Sequence, residues 1–264
     1  MNENAALRSV ESKALVSERA NEGAEWSCTV VVPVRNEAGN VGELLDRIPI
    51  FGRSLEVILV EGGSSDDTWN VVLQESKKMR PFLVQAIKQQ GRGKRQALID
   101  AASACRGDLL FILDGDLSVD PEVLSAFYRI IQAGEARFLL GTRFRVRMEP
   151  NAMRLFNYFG NRGFALLWSW LLKTPVSDSL CGTKVFFRDD FFGGAYNLEL
   201  VDDPFGDFSL LLGAALLELK TKEVPVCYRA RRYGKTNIRR WRDGWILFRF
   251  VLTSAQLLRA RRRP

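Results

Sequence analysis

The sequence predicts an α/β fold, a mostly parallel sheet with helices on both faces, and three observations carry that expectation. Short apolar runs alternate with helix-like stretches from Trp26 to Gly141. Several runs, among them Val30-Val31-Val32 and Leu109-Leu110-Phe111-Ile112-Leu113, are continuously apolar, the pattern of strands buried on both faces. Polar motifs follow the runs, and open α/β sheets bind ligands beyond the carboxyl ends of their strands.

Taken in order, residues 1–25 show only scattered Leu, Val and Ala among charges, so a flexible arm or short loose helix is expected there. The arm lacks a charged start followed by an apolar stretch of signal-peptide length. Cys28 to Val34 reads as a first strand, Val41 to Ile48 as a helix, and Leu55 to Val60 as a second strand. A helix from Asp67 to Met79, a strand from Phe82 to Ile87, a helix from Lys94 to Ala104 and a strand from Asp108 to Leu113 continue the alternation. Pro121 suits the first turn of a helix running to Ile131, and Arg137 to Gly141 gives another strand. Met153 to Leu172 is aromatic-rich and reads either as an interfacial helix or as one packed on the sheet. Its longest uncharged piece, Gly163 to Leu172, is about half a bilayer span. Trp241 to Leu258 is a second such stretch and ends in arginines. The expected organisation is therefore an arm over 1–25, one α/β domain over 26–237, and a basic amphipathic helix or tail over 238–264.

Composition narrows the function. The 264 residues include 47% apolar and 26% charged side chains, enough for a full core. Histidine is absent, which removes the commonest general base and transition-metal ligand together with every triad built on it. Any metal must then be held by oxygen. Four separated cysteines without a Cys-x-x-Cys argue against zinc or a disulfide framework and fit a reducing cytosol. The net charge of +7 is uneven, because residues 228–264 hold twelve Lys and Arg against the single acid Asp243. A basic end on a mildly acidic body predicts an anionic surface, phospholipid or nucleic acid. A solvated tail is the plainer alternative.

Three strand ends carry chemistry: Pro33-Val34-Arg35-Asn36-Glu37, Glu61-Gly62-Gly63-Ser64-Ser65-Asp66-Asp67-Thr68, and Asp114-Gly115-Asp116. Two carboxylates one residue apart suit a hard divalent cation that neutralises a diphosphate, although an isolated Asp-x-Asp is often a solvated turn. Ser65 or Asp66 can cap the following helix. Gly91-Arg92-Gly93-Lys94 opens a helix, where backbone N-H groups and Lys94 face either an anion or only a turn.

In this order the three segments resemble the nucleotide-sugar glycosyltransferases of family 2, over residues 28 to about 237. The resemblance implies the GT-A fold, a Rossmann-like sheet. It places Pro33, Arg35 and Glu37 in the nucleoside pocket with Glu61 as the acid ending strand two, although Glu61-Gly62 stands where the family commonly has Asp-Asp. It assigns Asp114, Gly115 and Asp116 to the donor's ribose and to a Mn²⁺ or Mg²⁺ on the diphosphate; Ser118, two residues beyond Asp116, is a candidate further metal ligand, directly or through water. Gly141-Thr142-Arg143, Asp178 to Lys184 and Arg231-Arg232-Tyr233-Gly234-Lys235-Thr236-Asn237 look like the polyprenyl-phosphate branch, which includes dolichyl-phosphate mannosyltransferase. By that resemblance Arg143, Arg231 and Thr236 contact phosphate or acceptor, and guanidinium forks suit phosphate oxygens.

The reaction so implied is an inverting transfer of sugar from a nucleoside diphosphate to a polyprenyl phosphate, on the cytoplasmic face of a membrane to which the protein is peripheral. A phosphate acceptor with a second pKa of about 6 requires no base. A hydroxyl acceptor would require one, and Asp207 in Pro204-Phe205-Gly206-Asp207-Phe208 is the candidate, unless it only caps its helix. Two other readings remain at this point: a family 2 enzyme acting on a soluble or glycan hydroxyl, and a basic module binding nucleic acid, which leaves the ordered acids without a role.

Overall fold

The computed structural model of the chain describes residues 25–146, 148–149, 155–192, 203, 206–234 and 240–261. The expected arm over 1–25 lies, but for residue 25, outside the described residues, as do Lys235, Thr236 and Asn237.

The elements run β1 (Ser27–Val34), α1 (Val41–Arg47), β2 (Ser54–Glu61), α2 (Thr68–Ser76), β3 (Leu83–Lys88), α3 (Lys94–Ala102) and β4 (Leu109–Ile112). A 3-10 turn (Pro121–Val123) then leads into α4 (Leu124–Gln132), followed by β5 (Phe138–Thr142) and α5 (Leu155–Leu172). The remainder is β6 (Lys184–Phe187), α6 (Arg188–Phe192), α7 (Asp207–Leu216), β7 (Thr221–Pro225) and α8 (Arg240–Arg261). Among the described residues seven strands form one sheet in the order β3-β2-β1-β4-β6-β5-β7. Only β6 is antiparallel to its neighbours β4 and β5.

The period of two along each strand splits the core into two layers. Val30, Val32, Val57, Leu59, Leu109 and Phe111 face the layer containing Val41, Leu44 and Leu45 of α1 and Phe127 and Ile131 of α4. Val31, Ile58, Val60, Leu110 and Ile112 face the layer containing Ala97 and Leu98 of α3, Trp168 of α5, Phe208 and Leu211 of α7, and Phe250 and Val251 of α8. Helices therefore cover both faces, as the continuous apolar runs require.

Two strands were not anticipated. β6 is four residues long and begins with a lysine, and β7, Thr221-Lys222-Glu223-Val224-Pro225, is a polar edge strand ending in proline. Each of the two aromatic helices packs one face on the sheet and leaves aromatic side chains exposed on the other. On α5, Ala165, Trp168 and Leu171 are buried while Phe159, Leu166 and Trp170 are exposed; on α8, Leu247, Phe250 and Val251 are buried while Trp245, Phe248 and Leu252 are exposed. No helix among the described residues is long and apolar enough to cross a membrane.

Candidate active site

The parallel strands β1, β2 and β4 end at one edge, which brings the three acidic motifs together. Asn36, left-handed at φ 57°, turns the chain out of β1. Its amide receives no partner from its own strand and donates instead to Ser64 Oγ at 2.9 Å, while its side-chain oxygen accepts from the Ser65 amide at 2.8 Å. The first and second loops are thereby stitched together. Glu61, ending β2, accepts from the Ser64 amide at 2.5 Å and closes that loop on itself. Asp66, not Ser65, satisfies the start of α2, accepting from the Thr68 amide at 3.1 Å. Pro33 is half-buried and Arg35 exposed at the mouth of this pocket.

Asp114, Gly115 and Asp116 follow β4. A side chain at Gly115 would meet Val34 Cγ1 at 2.8 Å, and one at Gly182 would come within 1.8 Å of Asp114 Oδ2. Both glycines let backbone approach the acidic turn. Leu117 is left-handed at φ 55°, a strained conformation for a branched side chain, and it directs the Ser118 amide back to Asp116 Oδ1 at 3.0 Å. Ser118 is thus buried beside Asp116, with its backbone amide, at least, on that carboxylate.

From half-buried Asp114 a chain of alternating charge runs inward to buried Asp207 and Lys184. Lys94 Nζ lies 2.6 Å from Asp114 Oδ1 and 3.8 Å from Asp207 Oδ1, and Lys184 Nζ lies 2.5 Å from the same Asp207 oxygen. Burial opposes charge on Lys94, but the charges of Asp114 and Asp207 outweigh it and hold the ammonium well above its ordinary pKa. Burial likewise opposes charge on Asp114, and Lys94 overcomes it, so that carboxyl stays below its ordinary value. Lys94 therefore serves Asp114 in this structure. Asp207 is the first residue of α7, and its carboxylate goes to Lys184 instead of capping the helix. Asp203 does the capping, accepting from the amides of Phe208 and Ser209 at 2.9 Å each.

The two arginines expected on phosphate differ. Arg231 Nη1 donates to Glu37 Oε1 at 2.6 Å and Nη2 donates to Asp116 Oδ2 at 2.5 Å, so it bridges the nucleoside loop and the acidic turn. Burial pushes the Glu37 carboxyl above its ordinary pKa, with the charge of Arg231 working against that rise. Residues 228–234 carry Arg231 there as a strap: the Arg229 amide donates to Ser118 O, and the Tyr233 hydroxyl donates to Asp66 Oδ2 at 3.1 Å. Arg143, by contrast, is buried and gives Nε and Nη2 to Asp178 at 2.6 and 2.8 Å, with its guanidinium over the Tyr228 ring. In this structure a carboxylate of the protein takes the Arg143 fork, the pairing that arginines of this kind adopt as readily as phosphate binding. Thr236 lies outside the described residues.

Sequence reasoning did not single out Lys184, Asp203, Asn36 or Tyr233. Only Lys184 left a signal, a lone charge opening the apolar run Val185-Phe186-Phe187. Among the described residues no group of three or more carboxylates or cysteines forms a metal cluster. What the edge offers is the carboxylates of Asp114 and Asp116, all-oxygen donors of the kind that suit a hard cation completed by phosphate oxygens.

The comparisons agree with this architecture. Over 92% of the chain and 83% of the other, it superposes on glucosyl-3-phosphoglycerate synthase from Mycobacterium tuberculosis in complex with uridine diphosphate, with TM-score 0.64 and 17% identity. A complex of the same synthase with Mn²⁺, uridine diphosphate and glucosyl-3-phosphoglycerate gives TM-score 0.63 at 16% identity, covering 90% and 81%. In sequence the chain is 25% identical to the low-salt glycan biosynthesis hexosyltransferase Agl6 of Haloferax volcanii over 86% of its own length and 53% of that protein. It is 30% identical to the undecaprenyl-phosphate 4-deoxy-4-formamido-L-arabinose transferase of Klebsiella pneumoniae subsp. pneumoniae over 43% of its length and 36% of that protein. The chain thus spans about half of the first relative and about a third of the second. The family model for glycosyl transferase family 2 matches residues 29–194, more than half the chain, and covers all three strand-end motifs. With a GT-A type sheet and those motifs at its carboxyl edge, this chain belongs to glycosyl transferase family 2.

Proposed function

We propose that the chain transfers a sugar from a nucleoside diphosphate to a polyprenyl phosphate at the cytoplasmic surface of a membrane, with Mn²⁺ or Mg²⁺ held by Asp114 and Asp116. The observation that carries this is the convergence of Glu37, Asp116 and Arg231 within hydrogen-bond distance at the end of β4. The relatives' names support both parts, since one is a hexosyltransferase and the other acts on undecaprenyl phosphate.

Glu37, Arg35 and Pro33 line the nucleoside side, Glu61 holds its loop closed, and Gly115 lets the acidic turn pack against Val34 and Pro33 of that same side. A divalent cation supplies charge neutralisation for the departing diphosphate. Arg231, whose two nitrogens already fork between two acids, is placed to transfer one of them to a phosphate oxygen. A phosphate oxygen of the acceptor forms the new bond to the anomeric carbon as the bond to the diphosphate breaks, the electron pair leaving with the nucleoside diphosphate. The dianionic acceptor has no proton to lose. That suits a site without histidine in which the candidate base Asp207 is tied to Lys184 at 2.5 Å and approached by Lys94 at 3.8 Å.

The exposed aromatic faces of α5 and α8 and the exposed Arg249 and Arg259 support the peripheral membrane position. The test is incubation of labelled nucleotide sugars with undecaprenyl phosphate and, separately, with soluble hydroxyl acceptors. Label in the lipid phase that disappears with chelator supports the reading. Label only on hydroxyl acceptors, or full activity in chelator, removes it.

A further inference from the structure

Lys184 opens a strand whose other members, Val185, Phe186 and Phe187, are apolar, and its register partners Ile112 and Leu140 belong to the core. A lysine buried there gives up its hydration, and a methionine of similar length would fill the place without that cost. Its ammonium is fully used: Nζ donates to Cys181 O at 2.5 Å and to Asp207 Oδ1 at 2.5 Å. Lys94, from a different element, repeats the arrangement one residue further along. Its Nζ donates to Asp114 Oδ1 at 2.6 Å and to Gly182 O at 3.3 Å, with Asp207 Oδ1 3.8 Å away. Two ammonium groups therefore flank one oxygen of Asp207 and grip the consecutive carbonyls of Cys181 and Gly182.

The gripped backbone is what Asp114 rests on. A Cβ at Gly182 would overlap the Asp114 carboxylate, so only glycine lets the chain lie against it. Asp114 is thus set from two sides, by Lys94 on Oδ1 and by Gly182 against Oδ2, and both contacts lead back to Lys184 and Asp207. The start of α3, from which Lys94 projects, is seated as well. Gly206, at φ 75°, lies so close that a Cβ there would meet Arg95 Cα at 3.1 Å and N at 3.2 Å, and Gln89 donates to Gly93 O at 2.7 Å. Exposure rises along the chain, from 1% for the Lys184 side chain and 8% for Asp207 to 16% for Lys94 and 34% for Asp114. Asp114 is the end that a ligand can reach.

We propose that Lys184 and Asp207 are positioning residues for the transfer reaction: together they hold Lys94 and the Cys181-Gly182 backbone so that Asp114 meets the donor's cation in one orientation. This role rests on the metal-dependent reading of the edge and deepens it. Asp207 acquires a task other than proton abstraction, and Lys184 a reason to carry charge within an apolar layer. Orientation matters here because a misplacement of about 1 Å at a reacting group costs on the order of 10²-fold in rate.

The test removes the charge pair whole. Lys184→Met with Asp207→Leu replaces both side chains by apolar ones, an exchange that commonly keeps stability, and the double variant should melt within a few degrees of wild type. The Asp207→Leu change removes no cap, since Asp203 serves the first amides of α7. Mn²⁺ binding is read from the free-ion electron paramagnetic resonance signal, in the presence of the nucleoside diphosphate that most raises the wild-type Tm. The double variant should bind Mn²⁺ roughly 10- to 100-fold more weakly and lose kcat by a similar factor, with KM for the acceptor that wild type labels unchanged. Lys184→Met alone should lose more, because the stranded Asp207 carboxylate then draws Lys94 off Asp114. Asp207→Asn separates positioning from proton abstraction: loss of kcat at wild-type Mn²⁺ affinity makes Asp207 a base and overturns the proposal, whereas loss of both supports it. A double variant with wild-type Tm, Mn²⁺ affinity and kcat also overturns it and leaves the pair as part of the core. A wild type that binds no Mn²⁺ and turns over fully in chelator removes the metal reading, and the positioning role with it.

Discussion

Arg143 and Arg231 stand near the same edge of one sheet and each pairs with carboxylates, yet they sit in different physical regimes. Arg143 is buried, held by both oxygens of Asp178, while Asn161 and the Arg143 amide itself bond the same carboxylate. Arg231 keeps 30% of its side chain exposed and divides its fork between two acids that belong to different loops. A desolvated pair with every lone pair satisfied is a fixed part of the scaffold. A rim arginine shared between two acids exchanges partners at low cost. Identical residue types are thus separated by depth: one braces β5 against the 177–180 loop, and the other stays partly exposed at the rim between two acids.

The largest effect that would sharpen this contrast is on stability. Arg143→Ala leaves Asp178 charged and buried without its partner, and should destabilise the fold by about 3–5 kcal/mol, a fall in Tm of roughly 6–20 °C. Arg143→Met combined with Asp178→Leu should recover much of the loss. An Arg143→Ala protein with wild-type Tm and a raised KM would erase the distinction. The same pair has a pH signature. Burial opposes the Asp178 charge, but Arg143 overcomes it and keeps the carboxyl below its ordinary 3.8. A depressed folded-state pKa adds stability that is present above 3.8 and lost as pH falls through the lower folded value. Thermal melts between pH 5 and 2.5 should show that loss in wild type and less of it in the Met/Leu double variant.

Next comes turnover. Asp116→Asn removes charge from the acidic turn without removing its shape, and kcat should drop on the order of 10²–10³ with Tm nearly unchanged, read by single-turnover transfer and calorimetry. A Tm loss as large as that of Arg143→Ala would mean that the Arg231 bridge is structural after all. Arg231→Ala should change stability by no more than about 1 kcal/mol while weakening donor or acceptor affinity roughly tenfold, measured by titration calorimetry with each. The smallest expected effect belongs to Tyr233→Phe, which deletes the hydroxyl on Asp66 and should cost no more than about 1 kcal/mol of strap stability. Faster amide exchange confined to residues 228–234 would register it, and exchange spread over β5 would contradict a local strap.

Much of the fold was legible because β1, β2 and β4 are continuous apolar runs, and period-two burial on both faces leaves few other ways to fold them. β6 and β7 were not, since four residues opening on Lys184 and five mostly polar residues on an edge give almost no periodic signal. In the site, Glu37 and Asp116, from two of the strand-end motifs, are joined through Arg231, while Asp114 pairs with Lys94. The fate of Arg143 was hidden because its partner lies 35 residues away, and a sequence shows charges without showing which pairs are desolvated together. Asp207 was hidden for the same reason, its partner Lys184 being 23 residues upstream on a strand too short to notice.

One consequence follows from the alternating chain Asp114, Lys94, Asp207, Lys184 and from the Arg231 bridge beside it. Each acid in that set already has a protein cation against it, Arg231 being shared between Glu37 and Asp116, so these carboxylates are engaged before any substrate arrives. A bare cation meets occupied carboxylates there, and a bare anion meets lysines and an arginine already engaged. Traffic through such an edge proceeds by exchange of counter-ions, and a ligand that brings opposite charges together, as a diphosphate with its own divalent ion does, enters without leaving either sign uncompensated.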